Sequence, residues 1–247
     1  MKYFAKIKYL GSAFHGFQVQ PTDRTVQGEL SGALVLALGT PVKVTGCSRT
    51  DAGVHANEFC VLIESDGATV PANKLPVAVA RYLPPDLSLY YAEEAIEGFH
   101  PRYDVKMKEY LYRIKNSPVS DPFDYGRVWL FTHKITDDGF EKMKAAAQYI
   151  VGKHDFQTFM SEGSDVVDTV RNVFYVDVSK NGEYIDIRIS ADGFLYNMVR
   201  IIVGTLISVA LGRTPPDDMP KIIESKDRTK AGMTAPPEGL YLNKVIY

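Results

Sequence analysis

The sequence predicts an α+β protein of two similar lobes, each a mainly antiparallel sheet with helices on one face. Hydrophobic residues make up 45% and aromatic residues 11% of the 247 residues, which is enough apolar surface for a folded core. Strand-like alternation and helix-like periodicity follow one another in both halves of the chain, without a residue-level repeat. We therefore expect an N-terminal lobe, residues 1–104, and a C-terminal lobe, residues 105–247.

The first half begins with a strand at residues 3–9, where apolar and polar residues alternate. A helix follows, with one apolar face formed by Val26, Leu30, Leu34 and Leu38. Further strands are predicted at residues 41–47, 58–64 and 87–94. A second helix is expected around residues 73–83, interrupted by Pro76.

The second half begins with a strand at residues 108–116, followed by a helix that Thr136 opens and Gly152 closes. The apolar stripe of this helix consists of Phe140, Met143, Ala147 and Ile150. Residues 173–190 predict a hairpin, because Asn181-Gly182 suits a type I′ turn between two alternating runs. Ile185, Ile187 and Ile189 should share one face of it. A long helix over residues 192–213 and a strand over residues 239–247 complete the half.

Composition limits the classes of function. The net charge is −2 and the pI is near 6.2, so only a local basic patch could bind nucleic acid. The apolar segment 198–212 is shorter than the roughly 20 residues of a membrane span and contains Arg200, so we expect a buried helix. The N-terminal segment shows no export signal, and we expect a cytoplasmic protein.

Metal and cofactor chemistry has no recognisable motif in this sequence. Cys47 and Cys60 lack the spacing of a disulfide framework or a zinc site, so we expect free thiols. The phosphate-binding loop, the dinucleotide fingerprint, the zinc-protease helix motif and the serine nucleophile elbow are not found. We therefore expect a reaction without cofactor or metal.

The loop GCSRTDAGVHAN, residues 46–57, concentrates residues that can do chemistry. Asp51 has small neighbours and could act as base or nucleophile, although an Asp-x-Gly sequence also commonly caps a turn. Arg49 could hold a phosphate or fill the gap left by an extruded base, or be a solvated charge. His55 could be an acid, a base or a structural residue.

Six segments taken together resemble the tRNA pseudouridine synthase A family, and they occur in the family's order along nearly the whole chain. They are YLGSAFHGFQVQPTDRTVQGEL, GCSRTDAGVHAN, FHPRYDVKMKEYLYRI, GKHDFQTFM, GFLYNMVRIIVGTLISVALGR and AGMTAPPEGLYL. The chain differs from the usual family pattern at flanking positions: Ser48, Pro101, Tyr103, Lys108 and Met160. Tyr103 stands where phenylalanine is commoner.

The resemblance implies a pseudouridine synthase fold with an active-site cleft between the two lobes. It implies isomerisation of uridine to pseudouridine at positions 38–40, in the anticodon stem-loop of tRNA, by a homodimer that needs no cofactor. A dimer can present basic surface to tRNA although each chain is slightly acidic.

The resemblance also implies roles for individual residues. Asp51 would be the catalytic nucleophile, attacking ribose C1′ or uracil C6 or stabilising an oxocarbenium-like centre, and Arg49 would replace the flipped base. Arg200 would hold Asp51 ionised, because a charge in an apolar helix needs a partner, although it could also extend to solvent. Tyr110 would stack on the base and assist proton transfer, or be a core tyrosine. The remaining substrate-binding residues would be Leu240, Phe99, His100, Arg102 and His55.

Two other classes of function remain open at this point. A non-catalytic RNA-binding protein could keep the same fold, although the presence of Arg49, Asp51, Tyr110 and Arg200 argues against it. A carboxylate glycosidase would need a second acid opposite Asp51, and the motif contains none.

Overall fold

The computed structural model describes residues 1–163 and 166–247, and within them the protein is α+β. The strands are β1 (Lys2–Tyr9), β2 (Lys43–Gly46), β3 (His55–Glu64), β4 (Leu87–Glu94), β5 (Met107–Asn116), β6 (Trp129–Phe131), β7 (Gly152–Asp155), β8 (Val170–Asn181), β9 (Tyr184–Ala191) and β10 (Leu240–Ile246). The α-helices are α1 (Val26–Leu38), α2 (Leu75–Ala80), α3 (Asp137–Gln148), α4 (Met198–Ala210) and α5 (Met219–Glu224).

The chain divides into two compact units. The first comprises Met1–Lys106 together with Tyr241–Tyr247, and the second comprises Met107–Leu240. The boundary between the two units, after Lys106, lies two residues beyond the boundary expected from the sequence. The C-terminal strand is expected in the second lobe from its position in the sequence, whereas in the structure it pairs in parallel with β3, with Tyr241 opposite His55. The pairing partner of a strand so distant in sequence is not visible in a local pattern.

The first unit is a sheet in the order β4-β1-β3-β10, with β2 added to β3. All of these pairs are antiparallel except β3 with β10. Helix α1 matches the predicted helix, and its N-cap Thr25 accepts a hydrogen bond from Gly28 N–H at 3.3 Å. Pro76 lies in the first turn of α2, so it opens that helix rather than interrupting it.

The second unit is a sheet in the order β5-β9-β8-β7, with β6 parallel to β5. Thr136 caps α3 as predicted, accepting from Gly139 N–H at 3.0 Å, and the predicted apolar stripe is buried. The helix ends at Gln148, four residues before Gly152, which begins β7 with a φ of 112°. Helices α3 and α4 pack against each other and against strands of this sheet.

The hairpin β8-β9 is present, but its turn lies one residue later than predicted. Asn181 pairs with Tyr184, so the two turn residues are Gly182 and Glu183. Gly182 alone has a positive φ, 59°, and the predicted type I′ turn would need positive φ at both central residues. The three isoleucines of β9 are buried together, as expected.

Helix α4 is shorter than the predicted helix over residues 192–213. It begins at Met198 because Asn197 has a φ of 60°, which is outside the helical region. Nearly all of its residues are buried, which confirms the expected core helix. Across residues 1–163 and 166–247, no helix combines the length and apolar character needed to span a bilayer.

Candidate active site

The loop between β2 and β3 alternates between exposed and buried side chains. Arg49 and Ala52 are exposed and Asp51 is partly exposed, whereas Thr50 is 6% exposed. Asp51, which is followed by the small residues Ala52 and Gly53, is therefore partly accessible, and the exposed Arg49 lies two residues before it. A carboxylate so placed can attack an electrophilic carbon or stabilise a developing cation, and a planar guanidinium can stack on a base or contact phosphate.

Three contacts hold this loop in place from within the first unit. The hydroxyls of Tyr9 and Thr50 share a buried hydrogen bond at 2.7 Å. The N–H of Phe17 donates to the Thr50 carbonyl at 3.1 Å, and Gly53 N–H donates to the Phe14 carbonyl at 3.3 Å. Because both the side chain and the backbone at Thr50 are fixed inward, its neighbours on either side are directed outward.

His55 lies beneath the loop rather than on its surface. The ring is fully buried, its Nδ1 accepts a hydrogen bond from Gly11 N–H at 2.9 Å, and it stacks on Tyr241 with centroids 4.5 Å apart. Gly11 is required here, because a β-carbon at this position would overlap the carbonyl of Val54. These contacts are those of a residue that supports the loop.

A charged cluster supports the loop from its other side. The Arg24 guanidinium binds the Asp86 carboxylate through two hydrogen bonds of 2.8 and 2.9 Å, and binds Glu29 at 2.9 Å. It also lies 4.2 Å from the centroid of Phe14, whose carbonyl holds Gly53. Hydrogen bonding to Arg24 lowers the pKa of Asp86 below its usual value.

Phe99, His100 and Arg102 lie in a separate part of the first unit. Phe99 packs edge-on against Phe4, near the beginning of β1, with centroids 5.3 Å apart. The Asp51 loop contacts Tyr9, at the end of the same strand. The five residue steps from Phe4 to Tyr9 correspond to about 16 Å of strand. Phe99 and the loop after it are therefore anchored at the other end of β1 from the Asp51 loop.

In the second unit, Arg200 is partly exposed near the beginning of α4. Its Nε donates to the Ala235 carbonyl at 2.6 Å, and its Nη1 donates to Asn197 Oδ1 at 2.7 Å. Asn197 Nδ2 in turn donates to Ser161 Oγ at 3.0 Å. These two neutral acceptors help to fix the plane of the guanidinium.

The segment around residues 235–240 connects Arg200 with β5. Ala235 N–H donates to the Arg200 carbonyl at 3.1 Å, and the hydroxyl of Tyr112 donates to the Pro236 carbonyl at 2.7 Å. Leu240 ends this segment and is 6% exposed. Tyr110, two residues before Tyr112 on β5, is 8% exposed.

The Tyr110 ring meets Phe194 edge-on at 5.0 Å. Arg200 thus contacts the segment that ends at Leu240, and Tyr110 lies on the strand that Tyr112 joins to this segment.

Three residues at these sites carry no role in the sequence analysis. Tyr9 and Thr50 fix the Asp51 loop, and Asn197 fixes Arg200. Asn197 stands immediately before a helix, where an asparagine usually caps, but its side chain makes no capping bond. The positive φ and the distance to Ser161 are set by tertiary structure and leave no local signal.

Comparison with known proteins identifies the family. A family model described as "tRNA pseudouridine synthase" matches residues 146–247. The chain is 44% identical over 241 residues to tRNA pseudouridine synthase A of Thermoanaerobacter sp. (strain X514), covering 98% of this chain and 97% of that protein. It is 43% identical to that of Ruminiclostridium cellulolyticum, with the same coverage, and 37% identical to that of Bacillus subtilis, covering 100% of this chain and 99% of that protein. The sequence motifs and these full-length matches together show that the chain belongs to the tRNA pseudouridine synthase A family.

Proposed function

We propose that the chain isomerises uridine in the anticodon stem-loop of tRNA and that Asp51 is its catalytic carboxylate. The observation that carries the proposal is the alternation in the loop: Thr50 is held inward, while Arg49 and Asp51 lie on the accessible side. A loop fixed in this way presents its carboxylate in one geometry, and fixed geometry is a large part of catalysis.

The reaction exchanges one glycosidic bond for another. The bond from uracil N1 to ribose C1′ breaks, the bond from C5 to C1′ forms, and the C5 proton is lost while N1 gains one. Asp51 serves by attack at C1′, by attack at C6 or by stabilising an oxocarbenium-like centre, and all three routes need its charged form next to the sugar or base.

A uridine in a stem must leave the helix before its C1′ and C5 become accessible, at a cost of a few kcal/mol. We propose that Arg49 fills the space that the uridine leaves in the stem, because the guanidinium of this exposed residue can stack between neighbouring bases and contact phosphate. This assignment explains why a cation precedes Asp51 on the same side of the loop.

We assign the residues of the second unit to the base. Arg200 supports the charge of Asp51, Tyr110 stacks on the uracil and assists loss of the C5 proton, and Leu240 packs beside it. Two observations support this assignment. Arg200 donates a hydrogen bond to Ala235, in the segment that ends at Leu240, and Arg200 is partly exposed. We further propose a cytoplasmic homodimer that acts without a cofactor, as the family resemblance implies.

The test uses Asp51→Asn and Asp51→Ala with an unmodified tRNA transcript. Both variants should release no tritium from C5-labelled uridine and form no pseudouridine in carbodiimide mapping, while tRNA affinity stays within a few fold of wild type. Asp66→Asn is the control, because it removes an exposed carboxylate of the same unit. Normal tritium release by Asp51→Asn would refute the catalytic assignment, and a wild type that binds tRNA without forming pseudouridine would refute the activity itself.

A further inference from the structure

Tyr103 presents an exposed ring that is already stacked on its inner face. The side chain is 75% exposed, and its ring lies on His100 with centroids 4.2 Å apart and planes 25° apart. His100 therefore covers one face of the ring and leaves the other accessible.

The backbone below the ring is constrained. His100 Nδ1 accepts hydrogen bonds from the N–H groups of Arg102 and Tyr103 at 3.1 and 3.3 Å. His100 N–H donates to Asp104 Oδ2 at 2.8 Å, and the Pro101 carbonyl accepts from the Tyr247 hydroxyl at 2.8 Å. The loop is therefore pre-organised, and a ligand that stacks on the ring does not have to order it first.

We propose that the outer face of Tyr103 is a stacking site for an unpaired nucleotide base of the tRNA substrate, a base other than the reacting uridine. Aromatic faces combined with basic residues are a usual means of holding single-stranded bases, and the exposed Arg102 precedes Tyr103 directly in the chain. The site rests on the proposed function, because it takes a second nucleotide of the same RNA.

The anchoring of the two loops at opposite ends of β1 favours a base other than the reacting uridine. The Tyr103 loop follows Phe99, which packs at the Phe4 end of β1, about 16 Å of strand from the Tyr9 end where the Asp51 loop is anchored. One base cannot contact both positions. Tyr103 therefore reads RNA outside the catalytic step, and it contributes to binding rather than to chemistry.

The test compares Tyr103→Ala and Tyr103→Phe in tRNA binding and in pseudouridine formation. Tyr103→Ala should raise the Kd for an unmodified tRNA transcript roughly 5- to 100-fold, because base stacking on an aromatic ring is removed. KM should rise in parallel while kcat stays near wild type. Tyr103→Phe keeps the ring and should bind within about twofold of wild type.

Two further variants make the result specific. Tyr125→Ala removes another exposed tyrosine, 89% exposed, from the second unit and should leave the Kd unchanged. Arg102→Ala should flatten the dependence of log Kd on log salt by about one unit, whereas Tyr103→Ala should leave that slope unchanged, because stacking displaces no counterions.

The proposal is overturned if Tyr103→Ala binds tRNA as wild type does, or if it weakens binding only by changing the oligomeric state in analytical ultracentrifugation, which would assign the ring to a protein interface. Pseudouridine formation by the wild type in the same experiment separates this failure from a failure of the proposed activity.

Discussion

The hydroxyls of Tyr9 and Thr50 lie 2.7 Å apart in the interior, and Thr50 is the residue between Arg49 and Asp51. This hydrogen bond joins the end of β1 to the loop that carries the proposed catalytic carboxylate. Its partners are 41 residues apart in sequence. The position of Asp51 is therefore a property of the folded unit and not of the loop alone.

Removing this hydrogen bond should lower turnover more than binding. Tyr9→Phe and Thr50→Val should each reduce kcat for pseudouridine formation about ten- to a hundredfold with KM little changed, because small displacements of a reacting group are costly. The kcat of the double variant should be no lower than that of the slower single variant, since each substitution removes the same hydrogen bond. Thr50→Ser keeps the hydroxyl and should retain most of the rate. Steady-state kinetics on a tRNA transcript measure these effects. A wild-type kcat in Tyr9→Phe would contradict a role of this hydrogen bond in positioning Asp51.

Asn197 should matter through both its side chain and its backbone. Asn197→Gly keeps the positive φ available but loses the hydrogen bonds to Arg200 and Ser161, so kcat should fall with little loss of stability. Asn197→Ala loses the same bonds and adds a left-handed conformation that alanine adopts at a cost of about 1 kcal/mol.

The two Asn197 variants should therefore match in kcat and differ in the free energy of unfolding, measured by urea titration. Equal rates in Asn197→Gly and wild type would show that the contact to Arg200 has no influence on the reaction.

The Arg24 and Asp86 pair should make stability depend on pH. The pKa of Asp86 is lowered by Arg24 from its usual value of 3.8, so the pair stabilises the fold fully above that value and loses its effect as pH falls through the lowered pKa. Asp86→Asn should cost about 1–2 kcal/mol at pH 7, and the difference from wild type should shrink below about pH 4. Urea unfolding at a series of pH values measures it. A difference that stays constant down to acid pH would contradict the electrostatic origin.

Two glycine substitutions should have opposite effects. Gly11→Ala should destabilise the first unit by about 1–3 kcal/mol and abolish most activity, because its β-carbon would overlap the Val54 carbonyl next to the Asp51 loop. Gly32→Ala, in the middle of α1 with open space around it, should stabilise by about 0.5–1 kcal/mol. Thermal unfolding and initial rates measure both. Normal activity in Gly11→Ala would show that the close backbone approach is not needed.

The sequence predicted elements whose signals are local. Helices α1 and α3 followed from their apolar spacing, α3 also from its cap Thr136, and the strands of β8-β9 followed from alternation. The turn between them was misplaced by one residue, because Asn181 and Gly182 both suit a turn and only strand pairing decides which residues lie at its tip.

Features set by distant contacts were beyond the sequence patterns. The unit to which β10 belongs depends on its pairing with β3, and the first residue of α4 depends on the φ of Asn197. At the site, the motif identified Arg49 and Asp51, but a short polar loop does not reveal that His55 is directed inward and Thr50 fixed from below. The roles assigned to Asp51, Arg200 and Tyr110 stay predictions for the experiments above.

The return of the last strand to the first unit has a consequence for synthesis on the ribosome. Tyr241, whose ring stacks on His55 under the Asp51 loop, is translated 186 residues after it, so the part of β3 around His55 and Ala56 lacks its β10 partner until the second unit has been synthesised. A chain interrupted before these final residues lacks the ring that packs on His55 beneath the Asp51 loop.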